Sequence, residues 1–220
     1  MDNPVSVYVK DNYAYIAVVD SDTLEIVDIS DPSNPQHKGS YIDSQNLSRM
    51  RDVFVSGNYA YGISGDRGTL EIINVSNPVD PVPEGAISYS NLDYSSVFVS
   101  GGYAYLTRYQ DDVLEIIDVS VPSNPVSVAN ISNDNFNGVR SVFVSGGMAY
   151  LVSSLSKTLE IVRTGYSTLS GTYNVGTGEV TPLLNVGLIT AHDAISLDGM
   201  RTNSSKTFLP KISQIVFVLR

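Results

Sequence analysis

The chain has 220 residues and contains no Cys or Trp; its 13 Lys and Arg against 23 Asp and Glu give a net charge of −10. The absence of Cys excludes a disulfide framework, thiolate metal sites and a Cys nucleophile, and the acidic balance argues against nucleic acid as a partner. No apolar run approaches the ~20 residues of a membrane-spanning helix, so no membrane span is predicted, and residues 1–4 do not resemble a signal peptide.

One sequence block occurs four times, starting at Val7, Val53, Val97 and Val142, about 45 residues apart. Each block opens with a Val-aromatic-Val triplet and continues seven residues later with an Ala-Tyr pair. Ten residues further on comes a Leu-Glu-Ile triplet. Because these three markers keep fixed offsets in all four copies, the block is a structural repeat, with length variation confined to the connection that follows it.

Each block predicts four consecutive strands, as the second copy illustrates. Residues 53–55 and 59–61 are β-rich and are separated by a Ser-Gly-Asn turn, which is typical of a hairpin. Residues 70–75 are apolar on both faces apart from Glu71, as in a strand covered on both sides. A Ser-x-Pro-x-x-Pro segment then ends the ladder before a weaker fourth strand, such as residues 126–129 of the third copy. With no sustained helical periodicity, the prediction is an all-β fold.

The segment that follows the fourth block departs from the repeat from Tyr166 onward. Residues 168–173 are a candidate fourth strand of the last repeat, residues 194–199 loosely resemble a first strand, and residues 215–219 are strongly β-like. We therefore divide the chain into repeats over residues 1–173 and a divergent C-terminal β segment over residues 174–220. This segment is either a fifth blade that closes a ring or an arm for assembly with another subunit; a third alternative is that the chain is part of a longer array.

Four strands in about 45 residues are typical of the blade of a β-propeller, in which sheets pack face to face around an axis. The repeat also resembles the LVIVD-repeat family, over residues 5–165, through its VxVxGxYAY, LxIIDVS and DPxNP-like segments. The resemblance implies a propeller-like fold that is common in bacterial and archaeal surface or secreted proteins, and implies no catalytic activity. With the acidic, Asn- and Ser-rich composition it favours a cell-surface, extracellular or virion-associated location.

One acidic position recurs in every block: Glu25, Glu71, Glu115 and Glu160. Carboxylates related by ring symmetry are candidates for a cation site or for equivalent ligand pockets. The alternative is that each Glu accepts hydrogen bonds from a neighbouring strand or turn, because an unsatisfied buried carboxylate is costly. We keep these four as candidate ligand-binding residues and assign no catalytic, cofactor-binding or metal-binding residue.

Other chemistry-bearing residues are few. His192 beside Asp193 is a candidate general base, and His37 lies in a variable connection. The acidic loops at residues 20–22, 111–112 and 133–135 lack a complete calcium-loop pattern, which favours solvated turns. The repeat tyrosines Tyr13, Tyr59 and Tyr103 suit either ligand recognition or packing between blades, and their alternation favours packing.

The sequence thus favours a non-catalytic structural or interaction module that needs no cofactor and acts through a protein partner or self-assembly. The alternative is a lectin-like propeller with weak, equivalent glycan sites that gain avidity from repetition. A propeller hydrolase or lyase that uses His192 is the third and least favoured hypothesis.

Overall fold

The structure is a computed structural model, and it describes residues 2–89 and 93–164 together with the backbone strand Val216–Leu219. These residues form sixteen strands in four antiparallel sheets of four strands each. The all-β prediction with four four-stranded blades is confirmed. No helix in the described part of the chain is long and apolar enough to cross a membrane.

The first two sheets contain the first two sequence blocks. Blade 1 consists of β1 (Pro4–Lys10), β2 (Tyr13–Val18), β3 (Thr23–Asp28) and β4 (Gln36–Ile42). Blade 2 consists of β5 (Met50–Ser56), β6 (Tyr59–Ser64), β7 (Thr69–Asn74) and β8 (Val82–Ser88).

The other two sheets repeat this order. Blade 3 consists of β9 (Tyr94–Ser100), β10 (Tyr103–Arg108), β11 (Val113–Asp118) and β12 (Val126–Ile131). Blade 4 consists of β13 (Val139–Ser145), β14 (Met148–Ser153), β15 (Thr158–Arg163) and β16 (Val216–Leu219).

The last strand completes blade 4, where β16 pairs antiparallel with β15 and Leu219 lies opposite Leu159. It occupies the edge of β15 that the sequence assigned to residues 168–173. Those residues, residues 194–199 and the division after residue 173 lie outside the described part of the chain, so the fifth blade and the domain boundary stay predictions.

Two local devices explain why the blocks fold into hairpins. The two-residue turn between the first two strands of each blade starts with a residue of positive φ, which is Asp11 in blade 1 and Gly57, Gly101 and Gly146 in the others. After the third strand, Asp118 Oδ1 accepts hydrogen bonds from the Ser120 amide (2.9 Å) and hydroxyl (2.6 Å). Asp28 and Asn74 make the same contacts in blades 1 and 2, so the Ser of the proline segment fixes the turn.

The core lies between successive blades and is built in the same way three times. Val53 and Val55 on the first strand of blade 2 pack against Tyr15, Leu24 and Ile26 of blade 1. Equivalent clusters join blades 2 and 3 and blades 3 and 4. An aromatic ladder runs across the first strands, with ring centroids 4.5, 4.8 and 5.0 Å apart from Tyr8 through Phe54 and Phe98 to Phe143. Each blade therefore completes the core of its neighbour, as in a propeller.

The outer strands approach the next blade closely enough to require glycine. A Cβ atom on Gly39 in β4 would lie 2.3 Å from the carbonyl oxygen of Pro78, in the proline turn of blade 2. Gly85 in β8 has the same relation to Pro122 of blade 3, at 2.4 Å. Ala129 occupies the corresponding position of blade 3, opposite Ile116, and the fourth sequence block lacks the proline pair.

Candidate functional site

The four repeat glutamates lie at the centre of the third strand of each blade. Their Leu and Ile neighbours in the same strand face the following blade, so strand alternation turns each Glu towards the opposite face. Glu71, Glu115 and Glu160 are fully buried, whereas the side chain of Glu25 is 20% exposed. Among the described residues no hydrogen bond joins one of these carboxylates to another, so the structure places them at separate points of the fold rather than in one ring-shaped site.

Glu115 has the most complete set of partners. Its Oε2 accepts a hydrogen bond from the Tyr94 hydroxyl (2.8 Å) and lies 3.3 Å from Arg108 Nη1, while its Oε1 accepts from the Ser127 hydroxyl (2.7 Å). Arg108 is itself largely buried. A buried carboxylate with a guanidinium and two hydroxyls around it is a structural ion pair, and Arg108 Nε also lies 3.5 Å from Asp111 Oδ2. Removing Arg108 would leave Glu115 buried without a counter-charge, whereas removing Glu115 would leave Arg108 paired only with the more exposed Asp111.

Glu71 lies in a less complete environment. Its Oε1 accepts a hydrogen bond from the hydroxyl of Tyr41 in blade 1 (2.8 Å), and its Oε2 is buried without a partner. The Tyr41 hydroxyl also lies 3.3 Å from Asp43 Oδ2. Burial raises the pKa of Glu71 to about 7, with a further contribution from the nearby Asp43 charge. This carboxyl therefore titrates near neutrality and can carry or release a proton there.

The remaining two glutamates have other hydrogen-bond partners and different exposure. Glu160 accepts hydrogen bonds from Ser153 (3.0 Å) and from Thr158, both in its own blade. Glu25 Oε2 lies 2.9 Å from Nε2 of His37, whose side chain is 63% exposed. The pairing of Glu25 with His37 is the most accessible acid–base pair of the repeat, because both side chains reach solvent.

The acidic loops connect blades. Asp22 Oδ1 accepts a hydrogen bond from the Arg49 amide at the start of blade 2 (2.7 Å), and Asp112 Oδ1 accepts from the Gly138 amide at the start of blade 4 (2.6 Å). In the part of the chain that the structure describes, no group of three His, Cys, Asp or Glu side chains is arranged to hold a metal ion. His192, the candidate general base, lies outside the described residues.

The repeat tyrosines are part of the packing between blades. The repeat tyrosines Tyr13, Tyr59 and Tyr103 are half-buried against the three core clusters. The tyrosine two residues after each of them is buried, at Tyr15, Tyr61 and Tyr105. Burial also raises the pKa of Tyr15, Tyr61 and Tyr105. Ring faces that pack in this way are not available as platforms for a ligand.

Several residues that hold these sites together could not be predicted from the repeat. Tyr41, Tyr94 and Arg108 have no counterpart in the other blocks, so periodicity carries no signal for them. Asp52 on β5 is a further example: it accepts hydrogen bonds from the Ser6 hydroxyl of blade 1 (2.5 Å) and from the Val97 amide of blade 3 (2.9 Å). One carboxylate thus connects three blades, and only the tertiary structure brings its partners to it.

The LVIVD repeat model matches residues 4–43, 49–87 and 93–132, which are blades 1, 2 and 3 and together make up more than half of the chain. The chain belongs to the LVIVD-repeat family. The fourth block lacks the proline pair and lies outside these matches, yet it forms an LVIVD-like blade with the same strand order. No curated protein matches this LVIVD-repeat chain.

Solved structures similar to the LVIVD-repeat chain support the propeller fold. The periplasmic gluconolactonase of Pseudomonas aeruginosa matches with 14% identity and a TM-score of 0.63, over 73% of this chain and 49% of that chain. The WD40 domain of Toxoplasma gondii coronin matches with 11% identity and a TM-score of 0.57, over 74% and 44%. The computationally designed Ika4 protein matches with 10% identity and a TM-score of 0.60, over 75% and 93%. The chain thus spans about half the length of the first two proteins and nearly all of the third.

Proposed function

We propose that this LVIVD-repeat chain is a non-catalytic propeller module that presents its surface to a protein partner. The observation that carries the proposal is the use of the repeat-borne polar groups. Glu71 accepts a hydrogen bond from the partly buried Tyr41, and Glu115 accepts one from the buried Tyr94. In the loops, Asp22 and Asp112 accept hydrogen bonds from amides of the next blade. These polar side chains therefore serve contacts within and between blades, which supports a structural role for them.

The surface that we propose for recognition is the valine rim, defined as Val79, Val82, Val121 and Val126. These residues lie in the proline turns of blades 2 and 3 and at the starts of β8 and β12, and they are 45–60% exposed. The turn containing Val121 packs against Gly85 of β8, the strand that starts with Val82. Large apolar side chains exposed on these outer turns and strand starts favour binding of a protein with a complementary apolar patch.

Binding tests the positive half of this proposal. A Val79→Asp, Val121→Asp double variant should fold as the wild type does. It should no longer bind a partner protein that was first isolated by its binding to the wild-type chain. A matched variant at exposed Ile42, Ile42→Asp, should retain it. Retention by the rim variant would contradict the assignment of the valine rim.

Catalysis tests the negative half, because the similar structures include a gluconolactonase. We expect hydrolysis of gluconolactone in the presence of this chain to proceed at the spontaneous rate. An acceleration that Glu25→Gln or His37→Ala abolishes would overturn the non-catalytic proposal, because these two residues form the accessible acid–base pair. Titration with glycans tests the lectin-like alternative, and binding at several equivalent sites would support it.

A further inference from the structure

Among the residues that the structure describes, no blade packs on one apolar face of blade 1, whereas the equivalent faces of blades 2, 3 and 4 are covered. Val7 on β1 occupies the repeat position of Val53, Val97 and Val142. Val53 is 3% exposed because it packs on blade 1, whereas Val7 is 61% exposed. Val9 differs from Val55 in the same way. We define the open face of blade 1 by Val7 and Val9; it is the surface that a preceding blade would cover.

Blade 4 has the reciprocal open face, defined by Phe143, Val152, Leu159 and Ile161. Phe143 is 57% exposed, while its counterparts Phe54 and Phe98 are half-buried beneath the next ring of the aromatic ladder. Val152 is 46% exposed, while Ala17, Ile63 and Thr107 at the same repeat position are fully buried. In the described part of the chain, no Val-aromatic-Val strand of a following blade packs on this face.

The two open faces are the two halves of an interface that this chain already forms three times. In blades 1, 2 and 3, the face equivalent to the open face of blade 4 is covered by the next blade. The covering surface, on blades 2, 3 and 4, is the one equivalent to the open face of blade 1. Because both end faces are exposed in the described chain, they do not pack on each other within it. A second copy of the chain presents a surface whose chemistry matches each of these faces.

We propose that two copies of this chain associate head to tail, with blade 4 of each copy packed on blade 1 of the other. Two such contacts close a ring of eight blades, which is within the range of known propellers. A head-to-tail contact that closes leaves no apolar face exposed. In this ring Phe143 of one copy continues the aromatic ladder onto Tyr8 of the other.

The loop geometry at the two ends agrees with this arrangement. Within the chain, the residue before the third strand (Asp22 or Asp112) bonds to the amide that precedes the next blade (Arg49 or Gly138). Lys157 has the position and the positive φ of Asp22 and Asp112, and Asn3 has those of Arg49 and Gly138. Head-to-tail packing brings Lys157 of one copy to Asn3 and the adjacent Asp2 of the other. The Lys157 ammonium cannot accept the Asn3 amide as Asp22 and Asp112 accept theirs, and it pairs instead with the Asp2 carboxylate.

The first test is the mass of the full chain in solution by sedimentation equilibrium, over a range of concentrations. We expect a species of twice 23.7 kDa that dissociates reversibly. Val7→Asp and Val152→Asp should each shift the chain to monomer, because each buries a charge at both contacts of the ring. Val121→Asp, an equally exposed valine away from both faces, should stay dimeric. Circular dichroism checks that all three variants are folded.

Three outcomes of this test would overturn the proposal. A folded wild-type monomer at all concentrations would mean that the chain's own remaining residues cover the faces. A dimer that Val7→Asp dissociates and Val152→Asp does not would mean head-to-head contact. Polymers that grow with concentration would mean that the contact does not close.

The second test locates the contact directly, since the natural chain has no Cys. An Asn3→Cys chain and a Lys157→Cys chain are prepared separately, mixed and treated with a short bismaleimide. We expect a cross-linked heterodimer from the mixture and much less product from either variant alone. Equal cross-linking of the separate variants would contradict the head-to-tail arrangement.

Discussion

Blade 1 and the interior blades 2 and 3 share one sequence block, yet the same repeat positions have different surroundings. Val7 is exposed in blade 1, whereas Val53 and Val97 are buried. Glu25 reaches solvent beside His37, whereas Glu71 and Glu115 are enclosed by side chains that include tyrosines of the inter-blade regions. The difference arises because, among residues 2–89 and 93–164, an interior blade has a neighbour on each face and blade 1 has one on a single face.

The repeat sequence determines which side chains a blade presents on each face, and the neighbouring blades determine whether those side chains are buried. A Val-aromatic-Val strand stabilises the fold only where a preceding blade removes it from water. A Glu at the centre of the third strand costs little folding free energy where it is solvated. Where a neighbouring blade encloses it, it requires hydrogen-bond partners to offset its desolvation. Identical residues should therefore respond differently to substitution in the two regions.

The largest difference is expected at the repeat glutamates. Glu115→Gln should lower the free energy of unfolding by about 3 kcal/mol, because it leaves the buried Arg108 with only the more exposed Asp111 as a counter-charge. Glu25→Gln is the matched control in blade 1 and should have a much smaller effect, since its partner His37 is exposed. Urea denaturation of the two variants measures both; equal losses would contradict the contrast between the blades.

A pH dependence should follow from Glu71. Its pKa rises from the ordinary 4.5 to about 7 in the folded chain, so the folded state holds the proton more tightly than the unfolded state. The resulting stability is complete below pH 4.5 and is lost as the pH rises through 7, by about 3 kcal/mol. Urea denaturation at pH 5 and pH 8 measures it, and Glu71→Gln should remove most of the difference while Glu25→Gln leaves it in place.

The core valines should show a smaller contrast. Val53→Ala removes two methyl groups from the contact between blades 1 and 2 and should cost about 2 kcal/mol. Val7→Ala, at the same repeat position, should change the stability of the monomer by much less, because Val7 is already exposed there. Thermal unfolding at concentrations below those of association compares the two. A loss for Val7→Ala as large as that for Val53→Ala would mean that blade 1 is covered within the monomer.

The smallest effect is expected at the proline turns, where the blades should behave alike. Asp28→Ala and Asp118→Ala each remove a carboxylate that accepts the amide and hydroxyl of the Ser two residues later. Because these contacts are local, both variants should lower Tm slightly, and Asp28→Ala by a little more because Asp28 Oδ2 also lies 3.4 Å from Lys38 Nζ in the same blade. Differential scanning calorimetry tests this; a larger loss for Asp118→Ala would show that the turn of blade 3 also depends on a neighbouring blade.

Much of the fold could be predicted from the repeat alone. The alternation in residues 59–61, the apolar third strand and the Ser-x-Pro turn all report local preferences, and the strands found in blades 1 to 3 lie where these patterns place them. The fourth strand of blade 4 is different. It comes from residues 216–219, more than fifty positions after β15, and pairing across such a separation leaves no periodic signal.

The candidate site was less predictable than the fold. The repeat identified Glu25, Glu71, Glu115 and Glu160 as equivalent, because the four share one position in the block. Their partners are His37, Tyr41, Tyr94, Arg108 and Thr158, among others, and several of these lie in the variable connections. The pKa of Glu71 and the ion pair of Glu115 therefore depend on side chains that no repeat pattern predicts.

The sequence by itself determined the strands, the turns and the number of repeats, because these depend on residue spacing, proline geometry and hydrophobic alternation within about 45 residues. The tertiary structure alone decided which Val is buried, which Glu has a raised pKa and which faces of the described blades stay open. Those properties depend on what lies across a blade interface, where the contacting atoms come from residues far apart in the chain. Burial and electrostatic environment are set by that packing and not by the residue that experiences them.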